Sequence, residues 1–213
     1  MENVLGIFAK QPVPGQVKTR LCPPLSPEEA AALYAVSLEE TVARMTAGVW
    51  RMVIFYSGSR DYFSRVFPGV PLLAQQGTDL GARLAAALSA LLAAGARAAV
   101  LIGSDSPDLP LEHVEKAFAA LAGHETVLAP AIDGGYVLIG ESRHHPDLFA
   151  DIPWSTAEVL PLTRRRAHAA GIALHELAPW EDLDDLAALR RLLERSPDSL
   201  TARYLQTHLA QRL

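Results

Sequence analysis

The residues with the clearest chemical potential follow the first apolar segment of the chain. Lys10, Lys18 and Arg20 fall within eleven residues, on a loop that also contains Gly15. Two prolines stiffen this loop, and glycine lets a backbone approach a ligand closely. In a protein of formal net charge -5, three such cations create a local positive potential that suits nucleotide phosphates. An ordinary solvated basic loop is the alternative interpretation.

A second candidate, Asp105, follows the apolar segment 98–102 in the sequence Gly-Ser-Asp-Ser-Pro-Asp. A carboxylate at the carboxyl end of a strand is well placed to bind a divalent cation, which would neutralise phosphate oxygens of a substrate. An Asx-type turn between strand and helix explains the same residue equally simply. Asp108, three residues later, is interpreted as a turn or cap residue.

Asp133, Gly134, Gly135 and Tyr136 lie between two strand-like segments. Asp-Gly and Gly-Gly are signals for hairpin turns, so a structural role explains this group. A pair of glycines also leaves space for a ligand, and the tyrosine brings a ring and a hydroxyl group to its edge. We therefore expect the turn to have both roles.

Two further candidates accompany predicted helix starts. Arg83 lies in a segment that opens a helix, whose N-terminal amides and dipole favour anions, whereas helix capping alone explains Asp79 in the same segment. Trp154 precedes Ser155, a predicted N-cap. Its ring is suited to bordering a sugar or a base, and equally to closing the core.

Composition restricts the class of protein. Half of the 213 residues are apolar and a fifth are charged, which is typical of a soluble globular protein. The acidic balance argues against a general nucleic-acid surface. The N-terminus lacks the features of a signal peptide, and the longest apolar run is interrupted by Ser89 and Arg97, which argues against a membrane span. A single cysteine, Cys22, excludes an internal disulfide and suits a reducing cytoplasm.

Strand-like and helix-like segments alternate along the chain. The predicted strands are 3–9, 51–56, 70–74, 98–102, 126–131, 136–139 and 172–175, and the predicted helices are 26–47, 79–94, 111–121, 155–170, 183–195 and 198–213. Strands without polar alternation are buried on both faces, and intervening helices indicate parallel crossovers. We predict one three-layer α/β domain over residues 1–213, with a mostly parallel central sheet.

Five motifs, FAKxPxPGxVKTRL, GxDLGxR, GSDSP, DGGY and IPWST, occur in this order. Together they resemble a bacterial family of uncharacterised GT-A-like transferases, often labelled glycosyltransferase or nucleotide-diphospho-sugar transferase. The resemblance extends from Phe8 to the acidic stretch near Asp185. It implies the Rossmann-like GT-A fold, and it makes phospholactate guanylyltransferases the nearest characterised relatives.

The resemblance also implies roles for individual residues. The three loop cations match the loop that holds nucleotide phosphates, and Asp105 matches the metal-binding aspartate of the family's Asp-x-Asp position. Pro107 replaces the second acid of that motif here. The family's C-terminal acidic pattern is shorter in this chain, so Asp182 and Asp184 match it only if three residues are missing.

These features predict a cytoplasmic, Mg²⁺- or Mn²⁺-dependent transferase that moves a glycosyl group from a nucleotide-diphospho-sugar to a small acceptor. Asp105 and Asp133 are the predicted catalytic residues, and Asp133 or Tyr136 would contact the sugar or the acceptor. One alternative is a guanylyltransferase-like nucleotidyltransferase that uses an NTP and releases pyrophosphate. The other is a non-catalytic nucleotide-binding protein, an alternative that the incomplete Asp-x-Asp leaves open. The oligomeric state is left open.

Overall fold

A computed structural model describes residues 2–212 and shows a mixed α/β fold built on one seven-stranded sheet. The strands are β1 (Asn3–Lys10), β2 (Arg51–Ser57), β3 (Leu72–Ala74), β4 (Ala98–Gly103), β5 (Thr126–Pro130), β6 (Tyr136–Glu141) and β7 (Leu174–Glu176). The helices are α1 (Pro27–Met45), α2 (Arg60–Val66), α3 (Leu80–Ala93), α4 (Leu111–Ala120), α5 (Val159–Ala169), α6 (Leu186–Arg195) and α7 (Leu200–His208). Short 3₁₀ turns occupy Thr19–Leu21, Pro146–Leu148 and Ala210–Arg212.

The sheet is mostly parallel, as predicted. Its strand order is β3-β2-β1-β4-β6-β5-β7. The pairs β1/β2, β1/β4, β2/β3 and β5/β7 are parallel, whereas β6 is antiparallel to both β4 and β5. The carboxyl ends of β1, β4 and β5 therefore share one edge with the amino end of β6. That edge is where open α/β sheets bind ligands.

Helices cover both faces of the sheet, which explains the uniformly apolar strands. Along β4, Val100 and Ile102 pack into a core with α1, α2 and α4, whereas Ala99 and Leu101 pack into a second core with α3 and α5. Successive side chains of a strand point to opposite faces, so both sets must be apolar when both faces are covered. The predicted three-layer arrangement is thus confirmed.

The start of α5 differs from the prediction. Ser155 is not an N-cap: its backbone lies in the left-handed region, with φ of 66°, and the helix begins only at Val159. The preceding segment is held by the hairpin turn instead, because the amide of Leu160 donates to the carbonyl of Gly134 at 2.9 Å. A Cβ added to Gly134 would lie 2.7 Å from the Cα of Ala157. This packing delays the helix beyond the position that local sequence indicates.

Two other elements differ from expectation. The sequence prediction omitted α2, a seven-residue helix that buries only Phe63 and whose Ser59 N-cap makes no side-chain hydrogen bond. Such a helix has too short an apolar pattern to be recognised by periodicity. Helix α6 begins at Leu186 and not at residue 183, because Asp185 caps it by accepting from the amide of Ala188 at 2.7 Å.

The C-terminal helices pack on the outer side of α1 and not on the sheet. Leu189, Leu192 and Leu205 form a separate apolar cluster with Leu21 and Leu33. This cluster joins the basic loop near the N-terminus to the end of the chain. None of the helices in residues 2–212 has the length and hydropathy needed to span a lipid bilayer.

A buried carboxyl group links α1 to α7. Glu40, 5% exposed, accepts hydrogen bonds from the amide and the hydroxyl of Thr201, at 2.8 and 2.7 Å. Its second oxygen accepts from Arg44 at 3.2 Å. The first amides of a helix lack intrahelical partners, so this carboxyl completes the N-terminus of α7.

We predict that Glu40→Ala lowers the free energy of unfolding by about 3 kcal/mol, because removal of one member of a buried polar pair leaves its partners unsatisfied. Chemical denaturation monitored by circular dichroism measures this change. Glu112→Ala is the matched control, because Glu112 pairs with Lys116 at the same helical spacing on the exposed surface of α4. Equal destabilisation by the two substitutions would contradict the structural role of Glu40.

Candidate functional site

A cavity of about 560 Å³ lies at the shared edge of β1, β4 and β6. Most residues that the sequence nominated line this cavity. These are Lys10, Lys18, Arg20, Arg83, Asp105, Asp133, Gly135, Tyr136 and Trp154. Two nominated glycines, Gly15 and Gly134, are not part of its wall. Gly15 is exposed, with φ of 76°, and so serves the loop turn.

The floor of the cavity is held in place by a tyrosine from α1. The hydroxyl of Tyr34 accepts from the amide of Lys10 at 2.9 Å and lies 2.7 Å from the hydroxyl of Ser104. The hydroxyl of Ser37, one turn along α1, donates to the carbonyl of Ser104 at 3.1 Å. Helix α1 thereby positions the ends of β1 and β4, which carry Lys10 and Asp105. The sequence offered no motif that would identify Tyr34 in this role.

Lys18 lies at the centre of the site. Its Nζ is 2.6 Å from Oδ1 of Asp105 and 3.0 Å from Oδ1 of Asp184, and its side chain is only 5% exposed. Burial by itself lowers the pKa of a lysine, but attraction to the two carboxylates outweighs it and raises the pKa of Lys18 above its ordinary value. Lys18 is therefore a permanent positive charge inside the cavity.

The backbone of Lys18 is also constrained. It adopts φ of 50° and ψ of 35°, in the left-handed region that a non-glycine residue rarely occupies. The flanking residues Val17 and Leu21 are 5% and 0% exposed and belong to different apolar clusters. The two anchors hold the loop in this strained conformation, a feature often found at functional sites.

Three carboxylates form a compact group opposite the basic loop. Asp133, Asp182 and Asp184 each offer an oxygen, and these oxygens lie within 4.8 Å of one another. The acidic segment reaches the cavity because the amide of Leu183 donates to the carbonyl of Asp105 at 2.9 Å. In the sequence, Asp182 and Asp184 are most simply explained as charges at a helix start, although one of these acids could reach a metal and the family's acidic pattern near the end of the chain points to them.

The acidic group is short of compensating positive charge. Burial, followed by repulsion from Asp184 and Asp133, raises the pKa of Asp182 to about 6. Carboxylate oxygens are hard ligands, and crowded ones suit Mg²⁺ or Mn²⁺. The donor set therefore fits the predicted divalent cation. Asp105, the ligand that the sequence nominated, lies outside this group of three and pairs with Lys18 at 2.6 Å.

Asp108 has a structural role. Its side chain is buried and forms a salt bridge with Arg195, and it also accepts from the hydroxyl of Ser196 at 3.2 Å. Arg195 also forms a salt bridge with Glu181, the residue before Asp182 of the acidic group. The pair holds α6 against the turn after β4, so Asp108 belongs to the support of the site and not to its lining.

The hairpin turn and the aromatic residues close the other side of the cavity. Asp133 accepts from the amide of Gly135 at 3.0 Å, as an Asx turn requires. The rings of Tyr136 and Trp154 meet edge to face at 6.2 Å. Trp154 also packs on Gly81, where a Cβ would lie 2.4 Å from its indole nitrogen. The turn thus has its structural role and also lines the cavity.

Two residues near the start of α3 complete the lining. Asp79 caps the helix by accepting from the amide of Ala82 at 2.9 Å, as predicted, and Arg83 donates to the carbonyl of Gly77 at 3.1 Å. Gln75, which sequence analysis missed, donates its side-chain amide to the carbonyl of Phe55 at 2.9 Å. It lines the cavity beside the end of β1.

Solved structures share this fold. A crystal structure from Desulfovibrio desulfuricans G20, provisionally named a nucleotide-diphospho-sugar transferase, is 33% identical, with 99% of this chain and 96% of that chain covered and a TM-score of 0.91. The Mycobacterium tuberculosis protein Rv0371c, solved with manganese, is 20% identical over 92% of this chain and 100% of its own, with a TM-score of 0.56. A Methanothermobacter nucleotidyl transferase is 15% identical over 91% and 96%, with a TM-score of 0.62.

These likenesses confirm the predicted nucleotide-diphospho-sugar transferase fold. No curated protein matches the sequence at a significant level. The model of one family, DUF2064, described as an uncharacterized protein conserved in bacteria, matches residues 41–156. Because that match covers more than half of the sequence, and the Desulfovibrio protein is similar over nearly all of it, this chain belongs to the DUF2064 family.

Proposed function

We propose that this protein is a metal-dependent transferase that uses a nucleotide-diphospho-sugar to glycosylate a small acceptor. The observation that carries the proposal is that loop cations and clustered carboxylates face each other across one cavity, joined through Lys18. A nucleotide diphosphate bound with a divalent cation needs both kinds of group. The similarity to the Desulfovibrio protein supports this choice of donor.

In this proposal, Lys10, Lys18 and Arg20 bind the diphosphate and stabilise the charge that develops on it as it leaves. Asp133, Asp182 and Asp184 hold Mg²⁺ or Mn²⁺, with Asp105 as a further candidate ligand. When bound, the cation supplies additional stabilisation of the leaving diphosphate. The donor's anomeric carbon–oxygen bond breaks, the acceptor oxygen bonds to that carbon, and the acceptor's proton is released.

The cavity wall formed by the hairpin turn, Tyr136 and Trp154 is assigned to the sugar and the acceptor. Asp133 is exposed at the cavity edge, where it would hold the cation beside the sugar or the acceptor. Burial raises the pKa of Tyr136, so its hydroxyl stays protonated, and because that hydroxyl is itself buried the residue faces the cavity with its ring. The rings of Tyr136 and Trp154 provide an apolar surface for a sugar face.

Nucleotidyl transfer is the second candidate, because structures of the same fold include a protein named a nucleotidyl transferase. Thermal-shift screening of NTPs against nucleotide-diphospho-sugars, with and without Mn²⁺, separates the two reactions. Stabilisation by a nucleotide sugar and release of a nucleoside diphosphate are the expected results. Preference for an NTP with pyrophosphate release would establish the second candidate, and binding without turnover would indicate a nucleotide-binding protein.

We predict that Arg20→Ala weakens nucleotide-sugar binding in Mn²⁺ at least tenfold, because a lost charge-assisted phosphate contact costs roughly 1.5 to 3 kcal/mol. Lys18→Ala changes affinity in the same direction. Isothermal titration calorimetry measures both effects. Arg60→Ala, at the exposed start of α2 and outside the cavity, is the control and should bind like wild type. Unchanged affinity in both loop variants would refute the phosphate-binding role.

A second prediction concerns Asp105. Asp105→Asn preserves the size of the side chain but removes its charge, so the gain in nucleotide affinity on adding Mn²⁺ should fall about tenfold or more. The melting temperature should fall because Lys18 loses one of its two partners, while Asp184 keeps it paired and the variant folded. The measurement is nucleotide affinity with Mn²⁺ and with EDTA, beside a melting curve. Asp61→Asn, on the exposed surface of α2, is the charge-matched control. A variant with the full Mn²⁺ response would remove Asp105 from the ligand set.

A further inference from the structure

Asp184 is shared between the two charged groups of the cavity. Its Oδ1 accepts from Nζ of Lys18 at 3.0 Å, and its Oδ2 lies 3.3 Å from Nη1 of Arg20. The same carboxylate belongs to the cluster with Asp133 and Asp182. Both oxygens of Asp184 are therefore engaged by the cations that the proposed function assigns to phosphate.

We propose that Asp184 is a positioning residue that couples binding of the divalent cation to binding of the nucleotide phosphates. The inference rests on the proposed function. In the ligand-free protein, Asp184 offsets part of the positive charge of Lys18 and Arg20 and so reduces their attraction for phosphate. A cation held by the acidic cluster takes Asp184 from them and makes both available to the diphosphate.

The divalent cation competes with Lys18 and Arg20 for the carboxylate of Asp184, and electrostatics favours the cation. A divalent ion within ligand distance of Asp184 brings two positive charges next to Lys18 and Arg20, and like charges a few ångströms apart repel inside a protein. The divalent ion would also balance the charge of Asp184, which Lys18 and Arg20 balance when no metal is bound. Binding of the metal therefore raises the affinity for phosphate, and binding of phosphate raises the affinity for the metal, because each removes a charge that opposes the other.

The packing around Lys18 limits this change to side chains. Val17 and Leu21 anchor the loop in two different apolar clusters, so its backbone has no room to follow the ammonium group. Asp105 remains 2.6 Å from Lys18 as a second partner and is 43% exposed. Loss of the contact with Asp184 would therefore leave Lys18 inside the cavity beside Asp105, whereas Arg20 has a side chain that is 60% exposed.

The proposed coupling predicts that removal of the Asp184 carboxylate strengthens phosphate binding when no metal is present. With EDTA present, Asp184→Asn should bind inorganic pyrophosphate about tenfold more tightly than wild type, because two charge-assisted contacts to the loop cations are removed. Pyrophosphate is the probe because its binding does not depend on the nucleotide base. Titration calorimetry measures the affinity, and a melting curve checks that the variant is folded.

Asp182→Asn and Asp133→Asn are the matched controls. Each makes the same change of charge in the same cluster, but neither residue has an ion pair with Lys18 or Arg20 among the contacts of residues 2–212. Their metal-free pyrophosphate affinity should change by less than about threefold, as expected for partly screened charges. An equal increase in all three variants, or no increase in Asp184→Asn, would overturn the coupling.

A second measurement tests the release of Lys18 by metal alone. The chain contains three lysines, Lys10, Lys18 and Lys116, so acetylation by an amine-reactive ester is resolved by mass spectrometry. Lys116, 58% exposed on α4, is the internal reference. Mn²⁺ should increase the labelling of Lys18 relative to Lys116 severalfold in wild type, and Asp184→Asn should show increased labelling without Mn²⁺. If the labelling of Lys18 relative to Lys116 changes neither with Mn²⁺ nor in Asp184→Asn, the proposed release of Lys18 by metal is wrong.

The results separate this inference from the proposed function. If Asp184→Asn binds pyrophosphate more tightly but wild type neither binds nor turns over a nucleotide-diphospho-sugar, the coupling holds and the proposed donor is wrong. If wild type transfers sugar and Asp184→Asn shows wild-type metal-free affinity, the proposed function holds and the coupling is wrong.

Discussion

Three distant segments of the chain meet at the ammonium group of Lys18. Burying such a charge costs several kcal/mol unless it is closely paired, so Asp105 and Asp184 must both approach within ion-pair distance. Asp105 comes from the turn after β4 and Asp184 from the segment that precedes α6. The site is therefore complete only when the basic loop, the sheet and the C-terminal segment are all in place.

The antiparallel strand β6 determines the shape of the opposite wall. Because it is inserted between β4 and β5, its amino end and Tyr136 lie at the carboxyl edge of the parallel strands. The hairpin turn before it carries Asp133 to the same edge, and a bridge between Ala131 and Trp180 directs the chain towards Asp182. One reversed strand thus brings together carboxylates that are far apart in the sequence.

The C-terminal helices serve the site without lining the cavity. Helices α6 and α7 pack on α1 through an apolar cluster that includes Leu21 of the basic loop. The salt bridge between the buried Asp108 and Arg195 connects α6 to the turn after β4. Such support keeps charged side chains at defined distances, which a pre-organised phosphate and metal site requires. It also explains why Asp108, the second aspartate of the Gly-Ser-Asp-Ser-Pro-Asp sequence, lies outside the cavity lining.

Local sequence determined much of this protein. Uniformly apolar strands predicted a sheet covered on both faces, the capping signal at Asp79 predicted the start of α3, and the basic loop was recognisable from residue type and spacing. Periodicity reports only neighbours along the chain, so it indicated neither the delayed start of α5 nor the pairing of Lys18. Those features depend on contacts between residues far apart in sequence, such as Gly134 with Ala157 and Lys18 with Asp184. Only the tertiary structure could decide them, because burial and pairing of charge are properties of the assembled site.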